Sequence, residues 1–477
     1  MPLRVYDTLK QKKSDFVPIQ PGKVGMYVCG MTVQDKPHMG HMLAFVSGDM
    51  IRRYLMYLGF DVVYVQNFTD IDDKIIDRAN KEGVDYRVVV ERNIEAYHRI
   101  AREVNILPAT HYPYATHYIA EIIAMVGALI AKGNAYAVDG DVYFRVRTKA
   151  DYGKLSKRDI DDLISGARVE IGEKKEDPLD FALWKASKPG EPAWESPWGQ
   201  GRPGWHIECS AMSVKILGET IDFHGGGEDL IFPHHENELA QSECATGKEF
   251  VRSWMHNGLL NLRGQKMSKS TGHFFGMDDV LKEFRGEVVR FYLLSTHFRS
   301  QMEYSRERLE NAERALERLE NACRSLDERL GRLGNGPSVS TGAGRQLVEA
   351  SREARASFLE AMDDDFNSAG AIGHLFDLIK TYNVLLDQDE ASVSQSREGL
   401  EAVQSAISEL DRILGLFKSG LPKALQDIPP SVQALVVERD KAKKEKDFQR
   451  ADEIRKQLHD DGFLILDTHS GSTVRRR

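Results

Sequence analysis

Two groups of residues in this 477-residue chain have the types and spacing of a site that handles phosphate. His38, Gly40 and His41 directly precede a run of apolar residues at helical spacing, which predicts that they open a helix. A helix N-terminus offers free amide donors and partial positive charge, and glycine lets backbone approach a ligand closely. Taken alone, the pattern is also compatible with two surface histidines beside a helix start.

The second group is the KMSKSTG stretch at 266–272, which follows a candidate strand at 258–262. Lys266 and Lys269 are three residues apart and flanked by small residues, which suits a loop that neutralises charge on a departing pyrophosphate. A solvated basic loop is the alternative. The two groups support each other because both fit nucleotide chemistry.

Sulfur, nitrogen and oxygen donors could form a metal site, although their spacing alone does not favour one. His234 and Glu238 are four residues apart and so share one face of a predicted helix, and Cys29 and Cys209 could join them from two strand ends. Such a donor set suits zinc. The chain has no CxxC pair, so ordinary packing of buried cysteines stays open. Cys244 and Cys323 are assigned to packing, and four scattered cysteines exclude a disulfide framework.

A parallel α/β unit is predicted to position the first histidine group. Residues 24–28 and 61–66 are expected to be buried strands, and 40–58 has the apolar spacing of the helix between them. Ligands bind at the carboxyl ends of strands in such units. The expected fold class is therefore α/β, with a parallel-sheet domain interrupted by an insertion.

The remaining pattern predicts mostly helices. The expected elements are helices at 71–106, 115–132 and 303–333, a strand at 142–146, a loop at 187–204, renewed sheet and helix at 221–262, a linker at 331–344, a helical bundle at 345–417 and a helix pair at 431–460. The catalytic fold is thus expected to be followed by an α-helical bundle and a small C-terminal domain.

Composition limits the class of protein. Lys and Arg number 64 against 73 Asp and Glu, so indiscriminate binding of nucleic acid is not expected. Charge alone leaves open that a local basic surface holds a particular RNA. The apolar runs are too short and too broken to span a membrane. The N-terminus lacks the pattern of a signal peptide, which predicts a cytoplasmic protein without membrane contact.

Several further stretches carry a family resemblance. Together with the two phosphate-handling groups, they are MYVCG at 26–30, NFTDIDDKII at 67–76, GWHIECSAM at 204–212, FPHHENE at 232–238 and MDDDFN at 362–367. The two groups resemble the signatures of class I aminoacyl-tRNA synthetases, which implies a Rossmann-like parallel-sheet catalytic domain. The other stretches resemble the cysteinyl-tRNA synthetase family in particular. The resemblance spans most of the chain.

This resemblance implies a function and a metal site. The chain would activate L-cysteine with ATP, releasing pyrophosphate, and transfer cysteine to the 3′-terminal ribose of tRNA(Cys). One zinc ion per chain would be held by residues that match the family's ligands, namely Cys29, Cys209, His234 and Glu238. The ion would also bind the substrate thiolate and so select cysteine over serine.

The same resemblance assigns residues to both substrates. His38, Gly40, His41, Lys266 and Lys269 would bind ATP, accompanied by Mg²⁺, and the histidines and lysines would act in catalysis. The expected amino-acid pocket consists of Gly30, Thr69 and Trp205. The acidic run at 70–73 is either a magnesium site or a helix cap. A monomer is expected.

The predicted domains follow from these assignments. They are 1–110, the first half of the catalytic domain; 111–203, a connective insertion; 204–262, the second half with the zinc site; 263–305, the signature loop and stem contact; 306–417, a helical tRNA-binding bundle; and 418–477, a small anticodon-recognition domain.

Three alternatives remain. A related ligase that couples cysteine to an amino sugar shares the ATP and zinc motifs but not the C-terminal half. A non-catalytic RNA-binding paralogue would keep the fold without the chemistry, and a generic nucleotidyltransferase would explain only the first histidine group. Val474 stands where the family has tryptophan, which affects the details of anticodon recognition.

Overall fold

The structure is a computed structural model that describes residues 2–159, 174–262, 276–333, 339–423, 429–445, 447–468 and 471–476. The chain divides into two compact units. The first comprises Met1–Glu317, Glu349–Thr381 and Ser405–Lys418, and the second comprises Arg318–Val348, Tyr382–Gln404 and Ser419–Arg477. The six-domain division expected from the sequence stays a prediction.

A four-stranded parallel sheet organises the first unit. After the short antiparallel pair β1 (Arg4–Asp7) and β2 (Lys12–Asp15), the sheet is formed by β3 (Lys23–Thr32), β4 (Asp61–Thr69), β9 (Ile221–Gly227) and β10 (Val251–Asn257), in the order β10-β9-β3-β4. Most residues of its strands are buried, as in parallel sheets covered by helices. The predicted α/β class with a Rossmann-like parallel sheet is confirmed.

Helix α1 (Met39–Tyr57) connects β3 to β4. Its apolar residues recur at helical spacing, and Met42, Phe45, Val46 and Met50 are all buried. Gly59 ends the helical run with a φ of 92°, a conformation that glycine adopts without steric cost. This arrangement places the start of α1 at the carboxyl edge of the sheet.

The helical region between β4 and the insertion contains two helices rather than one. They are α2 (Asp73–Glu82) and α3 (Tyr86–Glu103), separated by Gly83 at a φ of 67°. Helix α4 (Ile119–Ala131) follows. A helix ends readily where glycine takes the left-handed conformation, which explains the break that periodicity alone missed.

An antiparallel sheet fills the described part of the predicted insertion. Its strands are β5 (Ala135–Val138), β6 (Asp141–Phe144), β7 (Phe181–Ala186) and β8 (Gly201–Pro203), paired in that order. The sequence predicted only the strand at 142–146. Of the others, β5 and β8 have only four and three residues, and β8 lies within the Gly- and Pro-rich stretch that was expected to be loop.

Two helices flank β9 and carry chemistry-bearing residues. Helix α5 (Trp205–Leu217) precedes β9, and α6 (Glu236–Thr246) follows it after a π-helical turn at Ile231–His235. Cys29 and Cys209 lie in the same buried core as Trp254. Both cysteines are therefore held by packing as well as by any ligand.

The elements that follow the sheet are mainly helical. They are β11 (Leu260–Leu262), α7 (Met277–Glu283), α8 (Gly286–Leu294), β12 (Met302–Tyr304), α9 (Arg306–Leu333), α10 (Gly342–Asp363), α11 (Ser368–Gln388), α12 (Glu390–Gln395) and α13 (Arg397–Leu414). No helix within the described ranges is long and apolar enough to cross a membrane.

A buried ion pair joins α1 to α8. Arg290 is fully buried on α8 and donates to Asp49 of α1 with an Nη2 to Oδ2 distance of 2.6 Å. It also donates to the backbone carbonyls of Val104, Asn105 and Leu414. Removing either residue of a buried ion pair leaves the other charge uncompensated, which is costly. The pair therefore stabilises the packing of α1 against α8.

The C-terminal segment contains a helix pair and a hairpin. The elements are α14 (Pro430–Lys444), α15 (Phe448–Asp460), β13 (Phe463–Thr468) and β14 (Gly471–Arg476). The helix pair was predicted and the hairpin was not. Val474, opposite Ile465 in the hairpin, is partly buried against an apolar cluster that includes Val436 and Ile454. Its side chain therefore has a packing role here.

Candidate metal and substrate site

The four predicted metal donors converge in the structure. The ligand atoms of Cys29, Cys209, His234 and Glu238 all lie within 4.8 Å of one another, and all four side chains are buried. The two sulfur atoms are 3.9 Å apart, and Cys29 Sγ is 3.4 Å from Glu238 Oε1. His234 Nε2 is 2.8 Å from the same carboxylate oxygen. We call these four residues the metal-donor cluster.

Different elements supply the four donors. Cys29 lies in β3, whereas Cys209 lies in α5 and not at a strand end as expected. His234 belongs to the π-helical turn and Glu238 to the first turn of α6, so the two occupy consecutive turns rather than one regular helix face. The i, i+4 spacing still brings their side chains together.

Two of the four donors, Cys209 and Glu238, are held in forms that suit a cation, whereas those two groups raise the pKa of His234 to about 10 despite its burial. The hydrogen bond with Cys29 lowers the pKa of Cys209 to about 6, despite burial. Burial acts to raise the pKa of Glu238, but His224 and His234 hold it well below its usual range. Burial and Cys209 raise the pKa of Cys29. One thiolate and one carboxylate are thus already present, and metal binding would release the remaining protons.

A second set of four donors overlaps the first. Cys29, His224, His235 and Glu238 also lie within 4.8 Å of one another. His224 Nε2 is 2.8 Å from Glu238 Oε2, and His235 Nε2 is 3.3 Å from Cys29 Sγ. Neither His224 nor His235 is among the metal donors expected from the sequence. The metal-donor cluster has two sulfur donors and this set has one, which favours the cluster for zinc.

Further histidines pack around the cluster. His235 Nδ1 is 2.7 Å from His256 Nε2, and His256 Nδ1 is 2.8 Å from the Thr8 hydroxyl. His206 Nδ1 lies 3.0 Å from His234 Nδ1. Burial holds the pKa of His206, His235 and His256 well below the usual value, so these rings are neutral at pH 7. Such partners orient metal-binding side chains.

No pattern in the sequence pointed to His256. It lies near the end of β10, and only the pairing of β10 with β9 brings it beside His235. His224 had a weak signal, since it precedes three glycines. The structure places His224 and those glycines within β9.

His38 and His41 form a reciprocal cap at the start of α1. Nδ1 of His38 accepts from the backbone N–H of His41, and Nδ1 of His41 accepts from the backbone N–H of His38, both at 3.3 Å. The rings stack with centroids 3.6 Å apart. A Cβ at Gly40 would lie 3.1 Å from the His38 ring. This geometry is a capping box built from histidines.

The cap fixes the tautomer of both rings. A nitrogen that accepts a hydrogen bond carries no proton, so the proton of each neutral ring lies on Nε2. Burial and the neighbouring His38 hold the pKa of His41 well below its usual value, so His41 is neutral at pH 7. Each Nε2–H can therefore donate to an anionic oxygen.

The three predicted amino-acid contacts surround the metal-donor cluster. Gly30 follows Cys29, and a Cβ there would lie 1.6 Å from the backbone oxygen of Asn67, so only glycine fits. Thr69 ends β4 and donates its hydroxyl to Glu208, beside Cys209. The ring centroid of Trp205 is 4.3 Å from that of His234. The proximity is clear, and their contact with substrate stays a prediction.

The acidic run after β4 is committed to other contacts. Asp72 caps α2 by accepting from the backbone N–H of Lys74. Asp70 accepts from the backbone and hydroxyl of Thr116, and Asp73 pairs with Lys185 and Arg202. These contacts favour the capping alternative over a magnesium site. Lys266 and Lys269 lie outside the described residues.

Comparison with known proteins identifies the class. Residues 15–314 match the family model described as the class I (C) tRNA synthetase catalytic domain, residues 357–418 match the DALR domain, and residues 425–475 match the cysteinyl-tRNA ligase anticodon binding domain. A methionyl-tRNA synthetase from Mycobacterium tuberculosis, solved with methionyl-adenylate, superposes with a TM-score of 0.64 at 17% identity, covering 82% of this chain and 92% of that one. The likeness defines a class I synthetase fold.

Curated relatives narrow the class to one family. A protein named cysteine–tRNA ligase from Geobacter sulfurreducens is 50% identical over 487 residues, covering 99% of both chains. One of the same name from Heliobacterium modesticaldum is 49% identical over 476 residues, again covering 99% of both. The chain belongs to the cysteinyl-tRNA synthetase family, and the resemblance seen in the sequence is confirmed.

Proposed function

We propose that this chain activates L-cysteine with ATP and transfers it to the 3′-terminal ribose of tRNA(Cys). The convergence of Cys29, Cys209, His234 and Glu238 within 4.8 Å, in a chain of this family, carries the proposal. Family membership implies ATP, an amino acid and tRNA as substrates. The thiol-binding chemistry of the cluster supports cysteine as that amino acid.

The metal-donor cluster fits zinc. Two sulfurs, one imidazole and one carboxylate match the ligands that zinc prefers, and the low pKa of Cys209 provides a thiolate. Bound zinc would supply affinity for a thiolate far above that for a hydroxyl. An apolar pocket alone separates such near-isosteres by only about 10²-fold, so the donor set supports selection of cysteine over serine.

The start of α1 fits the ATP phosphates. The Nε2–H groups of His38 and His41 would donate to phosphate oxygens as charge develops on them, with Gly40 leaving room for close approach. The neutral His41 ring, with its tautomer fixed by the cap, needs no proton rearrangement for this task. Lys266 and Lys269 are proposed to act on the leaving pyrophosphate, and Mg²⁺ to accompany ATP.

In the first step, the cysteine carboxylate attacks the α-phosphate, a P–O bond forms and pyrophosphate leaves with its bonding electrons. In the second, the terminal ribose hydroxyl of the tRNA attacks the acyl carbon of the adenylate, and AMP leaves as the ester forms. The protein contributes position and electrostatic stabilisation in both steps. We also propose the six-domain division, a monomeric state and a cytoplasmic location.

The amino-sugar ligase and the RNA-binding paralogue are less well supported. Matches to the DALR and anticodon-binding models cover 357–418 and 425–475, a C-terminal region that a sugar ligase does not need. The metal-donor cluster and the histidine cap are both assembled, which a protein without chemistry would not require.

Transfer of labelled cysteine to unfractionated bacterial tRNA tests the function, with ATP and Mg²⁺ present and a matched reaction without tRNA. We expect acid-precipitable cysteine that is sensitive to mild base, as an ester is. Cysteine-dependent pyrophosphate exchange without transfer would favour the amino-sugar ligase. Absence of both activities would favour the paralogue.

A further inference from the structure

Glu208 is a fully buried carboxyl group beside the predicted amino-acid pocket. Its Oε2 accepts the hydroxyl of Thr69 at 3.0 Å. Its Oε1 has no hydrogen-bond partner, and no Lys or Arg forms an ion pair with it within the described part of the chain. Burying a carboxyl group with half of its hydrogen bonds unmade is costly, which calls for a functional reason.

The contact fixes how Thr69 can interact with a ligand. A threonine hydroxyl has one proton and two lone pairs, and it normally rotates to suit its partner. Because Glu208 takes the proton, the Thr69 oxygen is held as a hydrogen-bond acceptor. An acceptor at this point suits a donor such as the α-ammonium group of an amino acid, and it does not suit a carboxylate.

Thr69 and Glu208 lie where an amino-acid substrate is expected to bind. Thr69 is the last residue of β4, at the carboxyl edge of the parallel sheet where ligands bind. Glu208 lies in the first turn of α5, next to Cys209 of the metal-donor cluster. The pair thus adjoins the site proposed to hold the substrate thiol, and an amino acid carries its ammonium group two bonds beyond the carbon that bears sulfur.

We propose that Glu208 is a positioning residue for the α-amino group of the amino-acid substrate, acting through the Thr69 hydroxyl. The inference rests on the proposed function, since it needs an amino acid beside the metal-donor cluster. The alternative is a structural role, in which the same hydrogen bond only holds α5 against β4. The two roles differ in which part of the substrate they affect.

Cysteine-dependent ATP–pyrophosphate exchange by the full chain separates these roles. We expect Glu208→Ala to raise the KM for cysteine about tenfold or more, with kcat and the KM for ATP changed less than about threefold. Glu208→Gln keeps an acceptor oxygen of the same reach, so its KM for cysteine should stay within about threefold of wild type. It also provides a variant of nearly unchanged volume.

An analogue without the amino group gives the sharper readout. 3-Mercaptopropionate keeps the thiol and carboxylate of cysteine, so its inhibition constant should be the same in wild type and Glu208→Ala within about twofold. Thr69→Val should raise the KM for cysteine, and adding Glu208→Ala to it should raise that KM by less than about threefold more. Metal content is measured on every variant.

Three outcomes would overturn the proposal. One is an unchanged KM for cysteine in Glu208→Ala. Another is an equal loss of affinity for cysteine and 3-mercaptopropionate, with or without loss of metal, which would assign Glu208 a structural role. The third is Glu208→Gln as defective as Glu208→Ala. A wild-type chain without cysteine-dependent exchange would contradict the proposed function itself, and is distinguished from these by the wild-type control.

Discussion

The metal-donor cluster and the start of α1 hold their functional side chains by different means. The cluster brings together four buried side chains from β3, α5, the π-helical turn and α6, mostly through contacts between side chains. At the start of α1, two histidines three residues apart bond to each other's backbone. The cluster therefore depends on the tertiary fold, whereas the histidine cap depends on one helix turn.

Substitutions at the two sites should therefore affect different properties of the protein. Replacing a donor in the cluster removes a ligand and leaves its buried partners uncompensated, so metal, cysteine binding and stability should fall together. Replacing a cap histidine removes a phosphate contact but leaves the cluster intact. Metal content is thus the measurement that distinguishes the two regions.

The largest effect is expected for Cys209→Ser. A serine hydroxyl is a poor zinc ligand at neutral pH, so metal content should fall from about one per chain to near zero, and kcat/KM for cysteine should fall roughly 10³-fold or more. Metal analysis and pyrophosphate exchange check this. Cys244→Ser, outside the cluster and only half-buried, is the matched control and should keep both. Full metal occupancy in Cys209→Ser would contradict the assignment.

His41→Ala should lower the rate of adenylate formation about 10²-fold, because one donor to the developing charge is lost. Metal content and the KM for cysteine should be unchanged, unlike in the cluster variant. Single-turnover kinetics of adenylate formation measure the effect. If metal is lost as well, the two regions are not independent.

Gly40→Ala should have a smaller effect on the same step. The added methyl group would lie 3.1 Å from the His38 ring, which must shift by a few tenths of an ångström. We expect about a tenfold loss in kcat with unchanged metal content. A loss as large as that of His41→Ala would show that the phosphates approach the backbone more closely than inferred.

The smallest effect concerns the pH dependence of stability. The pKa of His41 is lowered by burial in the folded chain, so the unfolded chain binds this proton more readily. The free energy of unfolding therefore falls as pH drops below about 6.5, where the unfolded chain protonates His41 and the folded chain does not. This loss is no more than about 1.4 kcal/mol per pH unit. Between pH 7.5 and 5.5, the thermal midpoint of His41→Gln should therefore fall less than that of wild type. Parallel curves would show that His41 titrates normally.

Local patterns predicted the helix start well. The apolar spacing after His41 depends only on helix periodicity, and α1 begins within one residue of the expected position. The strands β3 and β4 were also predicted because parallel strands have continuous apolar runs. The pattern did not predict the reciprocal cap. The residue types alone do not indicate that each histidine ring accepts a hydrogen bond from the backbone N–H of the other histidine.

The cluster was predicted through family resemblance, and its surroundings were not. Spacing alone left Cys29 and Cys209 as packing residues or ligands, and placed Cys209 at a strand end rather than in α5. His224 and His256 were missed because only sheet pairing brings them near Glu238 and His235. Sheet pairing joins residues far apart in sequence, which periodicity cannot report.

Metal content and amino-acid discrimination, measured on the same purified chain, test the central claim most directly. We predict about one zinc per chain and a kcat/KM for cysteine in pyrophosphate exchange that exceeds the value for serine by well over the roughly 10²-fold of an apolar pocket. Strong discrimination in active protein without metal would contradict the account.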